Sequence, residues 1–231
     1  MLRNIVWGAV VAGVLAVPPS ASADQLFGVQ VGYFAVRGED ARVNGDVLNE
    51  NRNFFAFRIP DFNNAAVNGE WLVGIGDYFE AGVGVGYYRR TVPSVYRDFV
   101  NDNGSEIRQD FKLRILPVTT TIRLFPISRL NGFQPYVGGG LGIYNWRYSE
   151  TGEFIDFTDF SIFRDSFVAE GTNVGPVAML GARFRVAYQV MISGEFRYQG
   201  GDGRVGIENG FLADRIDLGG YTTLFGVHVG F

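Results

Sequence analysis

Hydrophobic and polar positions alternate with a period of two along most of the chain, most cleanly at its end. In Asp214–Phe231, the residues Tyr221, Thr223, Phe225, Val227, Val229 and Phe231 fall on one face of an extended strand. Thr222, Leu224, Gly226, His228 and Gly230 fall on the other. The first face is apolar with an aromatic at each end; the second is small or polar. Such a strand suits lipid on one side and a packed, partly polar interior on the other.

The same period predicts upstream strands at Phe27–Arg37, Val67–Gly76, Phe79–Arg90, about Ile107–Phe125, Pro135–Tyr148, Asn173–Ala187 and Gln189–Gln199. In the second and third, Val73, Ile75, Ala81, Val83, Val85 and Tyr87 face lipid, while Glu80 and a run of glycines face inward. The fourth changes phase: Phe111, Leu113 and Ile115 are apolar on odd positions, Val118, Ile122 and Leu124 on even ones. Pro117 sits at the switch, which predicts a β-bulge there. Polar segments at Gly38–Ala66, Thr91–Glu106, Ser149–Thr172 and Gly200–Ala213 read as loops. Long connections therefore follow odd-numbered strands and short ones follow even-numbered strands. The expected fold is all-β: a closed eight-stranded antiparallel up-and-down transmembrane β-barrel, with both termini on the periplasmic, short-turn side.

Composition agrees. The 32 glycines and 21 phenylalanines fit close-packed strands with aromatic girdles. With no cysteine, thiol nucleophiles, zinc–thiolate sites and a disulfide framework are excluded. Arg3, the apolar run Ile5–Val17 and Ala21-Ser22-Ala23 have the order of a cleavable signal peptide, which predicts a signal at 1–23 and one barrel domain at 24–231. Without Arg3, 19 basic residues face 24 acidic ones, a net charge of −5, which is no nucleic-acid footprint.

The strand pattern, the PYVGGGLG and SGEFRYQ stretches and the terminal Phe231 resemble the small eight-stranded outer-membrane barrels of the OmpA/OmpX type. The OmpW-like barrels are a more distant option. The resemblance covers nearly the whole mature chain and is one of fold. It implies an outer-membrane location in a Gram-negative-type bacterium and insertion by the barrel-assembly machinery, with Phe231 as the sorting signal. It also implies contact with outer-membrane lipid and lipopolysaccharide, and no cofactor. No peptidoglycan-binding domain is expected after Phe231.

Several constellations bear on function. Glu70, Glu80, Arg123, Arg183, Arg185, Glu195 and Arg197 point inward on the alternation, so they pair across the lumen. They read as a structural network, with a gated ion path as the sharper alternative. His228, the one histidine, also points inward near the periplasmic rim, which suits a lumenal histidine better than a lipid-hydrolysing triad. Phe154, Phe157, Phe160, Phe163 and Phe167 recur at three and four residues, a helical spacing, with Thr158 or Asp159 as cap. That predicts a helix or turn whose Phe stripe folds over the barrel mouth, or a surface for lipopolysaccharide, a partner or a hydrophobic ligand. Tyr88, Tyr136, Tyr144 and Trp146 are inward aromatics that pack the lumen or line a pocket for a small apolar molecule, as in the OmpW-like barrels. The acidic loop residues match no cation-loop spacing, so no metal is expected. The leading expectation is a non-enzymatic barrel with a structural or surface-interaction role through four long outer loops. A channel or transporter for small hydrophobic molecules comes second, and a lipid-modifying enzyme third.

Overall fold

The computed structural model describes residues 25–231; the expected signal peptide lies outside the described residues. Eight strands close into an antiparallel barrel: β1 (Gln25–Val36), β2 (Asn64–Ile75), β3 (Phe79–Val100), β4 (Glu106–Leu124), β5 (Phe133–Ile155), β6 (Ile162–Arg185), β7 (Val190–Gln199) and β10 (Gly220–Gly230). Neighbours in sequence are neighbours in the wall, and β1 closes it against β10 from Leu26↔Gly230 to Val36↔Gly220. Two three-residue strands, β8 (Asp202–Arg204) and β9 (Arg215–Asp217), form a separate small ribbon in the last outer connection.

The wall is lopsided. β1, β2, β7 and β10 have 10–12 residues, whereas β3, β4, β5 and β6 have 19–24. A tilted strand crosses the hydrocarbon in about 9–11 residues, so these four rise far above the lipid. The loops expected at Thr91–Glu106 and Ser149–Thr172 are therefore mostly strand, joined by tips at 101–105 and 156–161.

The bulge expected at Pro117 is also absent. β3 and β4 keep one register from Phe79↔Leu124 through Val85↔Val118 and Tyr88↔Ile115 to Val95↔Arg108, and the shift comes only between Val95 and Val100. Odd residues of β4 face inward along its whole length, from Ile107 to Arg123. What changes at Pro117 is the polarity of each face. Below it the interior side carries Thr119, Thr121 and Arg123; above it, Phe111, Leu113 and Ile115. The outside reverses in the opposite sense, from Ile122 and Val118 to Arg114 and Lys112. A strand leaving the membrane turns its polar side to water, so the phase change marks the lipid boundary.

The aromatic series is a hairpin and not a helix. β5 and β6 pair symmetrically, with Phe154 opposite Phe163. Phe157 and Phe160 sit equally spaced within the tip, Phe160 with a left-handed φ of 60°. Residues placed symmetrically about a turn reproduce spacings of three, which imitates helical periodicity.

Most of Gly38–Ala66, expected as a plain loop, folds into the mouth, and only its last three residues belong to β2. Asp46 caps the short helix α1 (Val47–Asn51) by accepting from the backbone N–H of Leu48 and Asn49. Val47, Leu48, Phe55, Phe57, Ile59 and Phe62 are buried against inward residues of β3 and β4 such as Val92, Phe111 and Leu113. Val205, Phe211, Ile216 and Leu218 of the last outer connection join them. Hydrogen bonds tie the two segments together: Arg42, which donates to both oxygens of Asp46 at 2.7 and 3.0 Å within its own segment, also donates to the Asp217 carbonyl, and the Asp217 N–H donates to Asp46. Two outer connections thus make one apolar plug.

Candidate functional site

Beneath the plug the interior turns ionic. Arg123 on β4 is the hub. Its Nη2 donates to Glu70 Oε2 at 2.7 Å and to Glu195 Oε2 at 3.0 Å, and its Nη1 to Glu80 Oε1 at 3.3 Å. Its guanidinium also lies 4.9 Å over the Tyr136 ring. Arg183 donates to Glu80 Oε2 at 2.8 Å, and Arg197 Nε to Glu195 Oε1 at 2.8 Å. Tyr136 donates its hydroxyl to Glu195 at 2.8 Å. Three carboxylates and three guanidiniums from five strands balance within the lumen, which is the condition for holding charge away from water.

Six of the seven expected network residues come together there. Arg185 does not: β6 ends at this residue, its side chain is exposed, and it lines the periplasmic mouth. Alternation predicts direction only while neighbouring strands continue, and at the rim the inward direction opens to water.

His228 completes the layer. It is wholly buried, with Nε2 2.8 Å from Glu70 Oε1. The two residues belong to β10 and β2, with β1 between them, and both pair with Gly28. The ring crosses directly over that glycine, where a Cβ would lie 2.3 Å from His228 Cδ2. Among the described residues no serine hydroxyl is a hydrogen-bond partner of it.

The inward aromatics are packing elements. Tyr88, Tyr144 and Trp146 are buried in the plug's core, as is Tyr136 at the edge of the ion-pair layer. Trp146 lies against Gly203 of β8, where a Cβ would come within 2.3 Å of the indole. Tyr88 hydroxyl donates to the Phe62 carbonyl of the plug. Between plug and ionic layer remains a cavity of about 30 Å³, lined in part by Phe34, Asn68, Tyr88, Arg197, Gln199 and Thr222. That volume holds one or two water molecules and no organic solute. Tyr144 and Trp146 do not line it.

Glu150, which the sequence did not single out, links the plug to the wall above the lipid. It accepts from Asn51 Nδ2 at 2.6 Å and from the Tyr148 hydroxyl at 2.9 Å, with no cation paired to it among the described residues. Burial pushes its pKa up from 4.5 to about 7.

The expected aromatic surface divides. Phe154 is buried and stacks on Phe163 at 5.8 Å and meets Phe167 edge-on at 4.7 Å. Phe157, Phe160 and Phe163 are exposed at 48, 65 and 40 %, at or beside the tip of the longest hairpin. Phe157 leans toward Phe54 of the plug segment and Phe99 of β3, each at 5.8 Å. The signal for the plug was present in the sequence: Phe54, Phe55, Phe57, Ile59 and Phe62 crowd an otherwise polar stretch.

Around the outside, Val29, Val31, Val85, Ile122, Leu141, Val174, Leu180 and Phe225 form an exposed apolar belt. Phe79, Phe133, Phe184 and Phe231 flank it on the short-turn side, and Tyr33, Tyr87 and Tyr221 on the other. Such a belt is tolerable only in lipid.

No protein-family model matches the sequence, and no curated protein matches it either. Among solved structures, the chain is similar to the outer membrane protein OprG from Pseudomonas aeruginosa. The two share 10% identity and a TM-score of 0.53, over 90% of this chain and 96% of that one. It also aligns with Ail of Yersinia pestis (10% identity, TM-score 0.45, 91% and 100% of the chains). A third alignment is with Outer Membrane Protein W of E. coli (13%, 0.42, 90% and 98%). At these identities the likeness is one of fold, and it rests on the first of the three. Strand count, topology, belt and fold likeness lead to one conclusion: the chain is an integral outer-membrane barrel with the fold of the small eight-stranded β-barrels.

Proposed function

We propose that this barrel is non-enzymatic and acts through its outer surface, with the transmembrane part serving as a rigid, closed support. The observation that carries the reading is double closure. The lumen is filled by the Arg123-centred layer and again by the plug, with a cavity of about 30 Å³ between them. A route for solute would have to displace both. Supporting the surface role, the β5–β6 hairpin projects beyond the membrane and presents Phe157, Phe160, Ile162 and Phe163 to water. Exposed aromatic clusters of this kind are favoured contact residues in protein and lipid recognition. Against an acyl-transfer or hydrolytic role stands the placement of His228, enclosed in the lumen with Glu70 as its partner.

Planar-bilayer recording of the refolded mature protein tests the reading. No discrete conductance steps are expected, with or without small alkanes in the bath. Stepwise conductance blocked by an alkane would replace this proposal with a hydrophobic-solute transporter, and Tyr88, Tyr144 and Trp146 would be the first residues to change.

A further inference from the structure

The outward face of β3–β6 changes abruptly with height. One register row, Val85–Val118–Ile143–Val174, is wholly apolar. Tyr87, Leu116 and Asn145 follow two residues further up their strands. The next row is Arg89–Arg114–Arg147–Glu170. Three arginines thus stand directly opposite one another on adjacent strands, and Lys112 projects from the position above Arg114.

Like charges opposite each other on neighbouring strands destabilise a sheet. Here little neutralises them. Arg147 pairs with Glu170 at 3.1 Å, whereas Arg89, Lys112 and Arg114 form no ion pair among the described residues. Arg114 Nε is in addition buried without a hydrogen-bond partner. Together with Tyr87 and Ser149 these cations line an open cleft of about 430 Å³ on the outer wall.

The height of the cleft selects its occupant. It begins where the lipid-facing belt ends, at the level of lipid headgroups in the outer leaflet. Arginines in a row offer paired N–H groups to phosphate oxygens, and two strand spacings separate Arg89 from Arg147 by roughly 10 Å. We propose that this cleft binds the phosphate of an outer-leaflet glycolipid, held between Arg89, Arg114 and Arg147 with Lys112 above. The lipid's negative charge then removes the repulsion between them and fixes the barrel's depth in its membrane. This inference is independent of the surface-interaction role.

The test compares wild type with Arg114→Gln in detergent micelles, by denaturant midpoint and by binding of added lipid. The additions are bis-phosphorylated lipid A, dephosphorylated lipid A, or inorganic phosphate at the same concentration. Bis-phosphorylated lipid A is expected to stabilise wild type, less so at high salt. Arg114→Gln should bind it about tenfold more weakly or worse, yet match or exceed wild type without lipid, because the central repulsion is gone. Arg89→Gln, at the edge of the row, should show the same pattern if the central variant folds poorly. Equal stabilisation by dephosphorylated lipid A, or undiminished binding by both variants, would overturn the proposal. Full reproduction of the effect by inorganic phosphate would overturn the lipid as the source and leave a free-anion site.

Discussion

Replacing Arg123 by Met tests whether the lumenal layer holds the barrel together. The side chain is 1 % exposed and pairs with Glu70, Glu195 and Glu80 at 2.7, 3.0 and 3.3 Å. At an effective dielectric of about 20, one pair separated by about 4 Å is worth about 4 kcal/mol. Three such pairs far exceed the net effect, because removing a buried guanidinium also removes its desolvation cost of several kcal/mol. Arg183 and Arg197 remain to share three carboxylates, so the interior goes from balance to an excess negative charge. A loss of about 3–5 kcal/mol is expected, the usual cost of breaking one side of a buried pair. Urea unfolding in lipid vesicles, followed by tryptophan fluorescence and by the heat-dependent shift of barrels on gels, measures it. Arg123→Met with Glu70→Gln restores charge balance and should recover part of the loss. A single-variant loss under about 1 kcal/mol would refute the reasoning, as would a double variant no more stable than the single, because either would mean a lumen wet enough to screen the charges.

Two further outcomes follow from the geometry. The Glu150 carboxyl has a folded pKa pushed up to about 7 from 4.5, so its stabilisation is fully present below about 4.5 and is lost as pH rises through 7. Plug docking should weaken by up to about 3 kcal/mol between pH 5 and pH 8.5, seen as faster proteolysis within 37–63, and Glu150→Gln should flatten that dependence. Gly28→Ala puts a methyl group 2.3 Å from His228 Cδ2 and should cost about 1–3 kcal/mol by forcing the ring off Glu70; adding His228→Ala should relieve much of that cost, and strict additivity in the unfolding midpoints would show that the two residues do not meet.

Below the lipid boundary the sequence was almost fully legible. There a strand has apolar residues outside and small or polar ones inside, so direction follows from parity alone, and Glu70, Glu80, Arg123, Arg183, Glu195, Arg197 and His228 were placed by counting. Above the boundary both faces reverse. Thr91, Pro93, Arg108 and Asp110 point to water while Val92, Phe111 and Ile107 point inward to the plug, so parity assigned by polarity gives a bulge at Pro117 and loops where strands continue. The hairpin phenylalanines failed for another reason. Two strands folded about a turn place equally spaced residues symmetrically, and a one-dimensional pattern cannot separate that from a helix. The plug failed because 11 of the 29 residues at 38–66 are Asn, Asp or Gly, a composition that reads as a loop, while a few large apolar side chains such as Leu48, Phe55, Phe57, Ile59 and Phe62 decide where the segment goes.

The two interior layers depend on each other. Three carboxylates and three arginines cohere best where water is scarce, and the apolar layer above them keeps it scarce. The plug in turn needs a floor that does not yield, since its short helix of five residues could not hold its own shape in solution. Its anchors are the Arg42 hydrogen bond to the Asp217 carbonyl, the Asn51–Glu150 contact and the tyrosine from β3 that reaches the Phe62 carbonyl. A barrel that served conduction would gain nothing from filling its mouth with two outer connections and its floor with ion pairs. A barrel that presents a hairpin tip to the outside gains rigidity from both: β3–β6 extend about as far beyond the lipid as within it, and that overhang is supported only where the plug packs against its inner face.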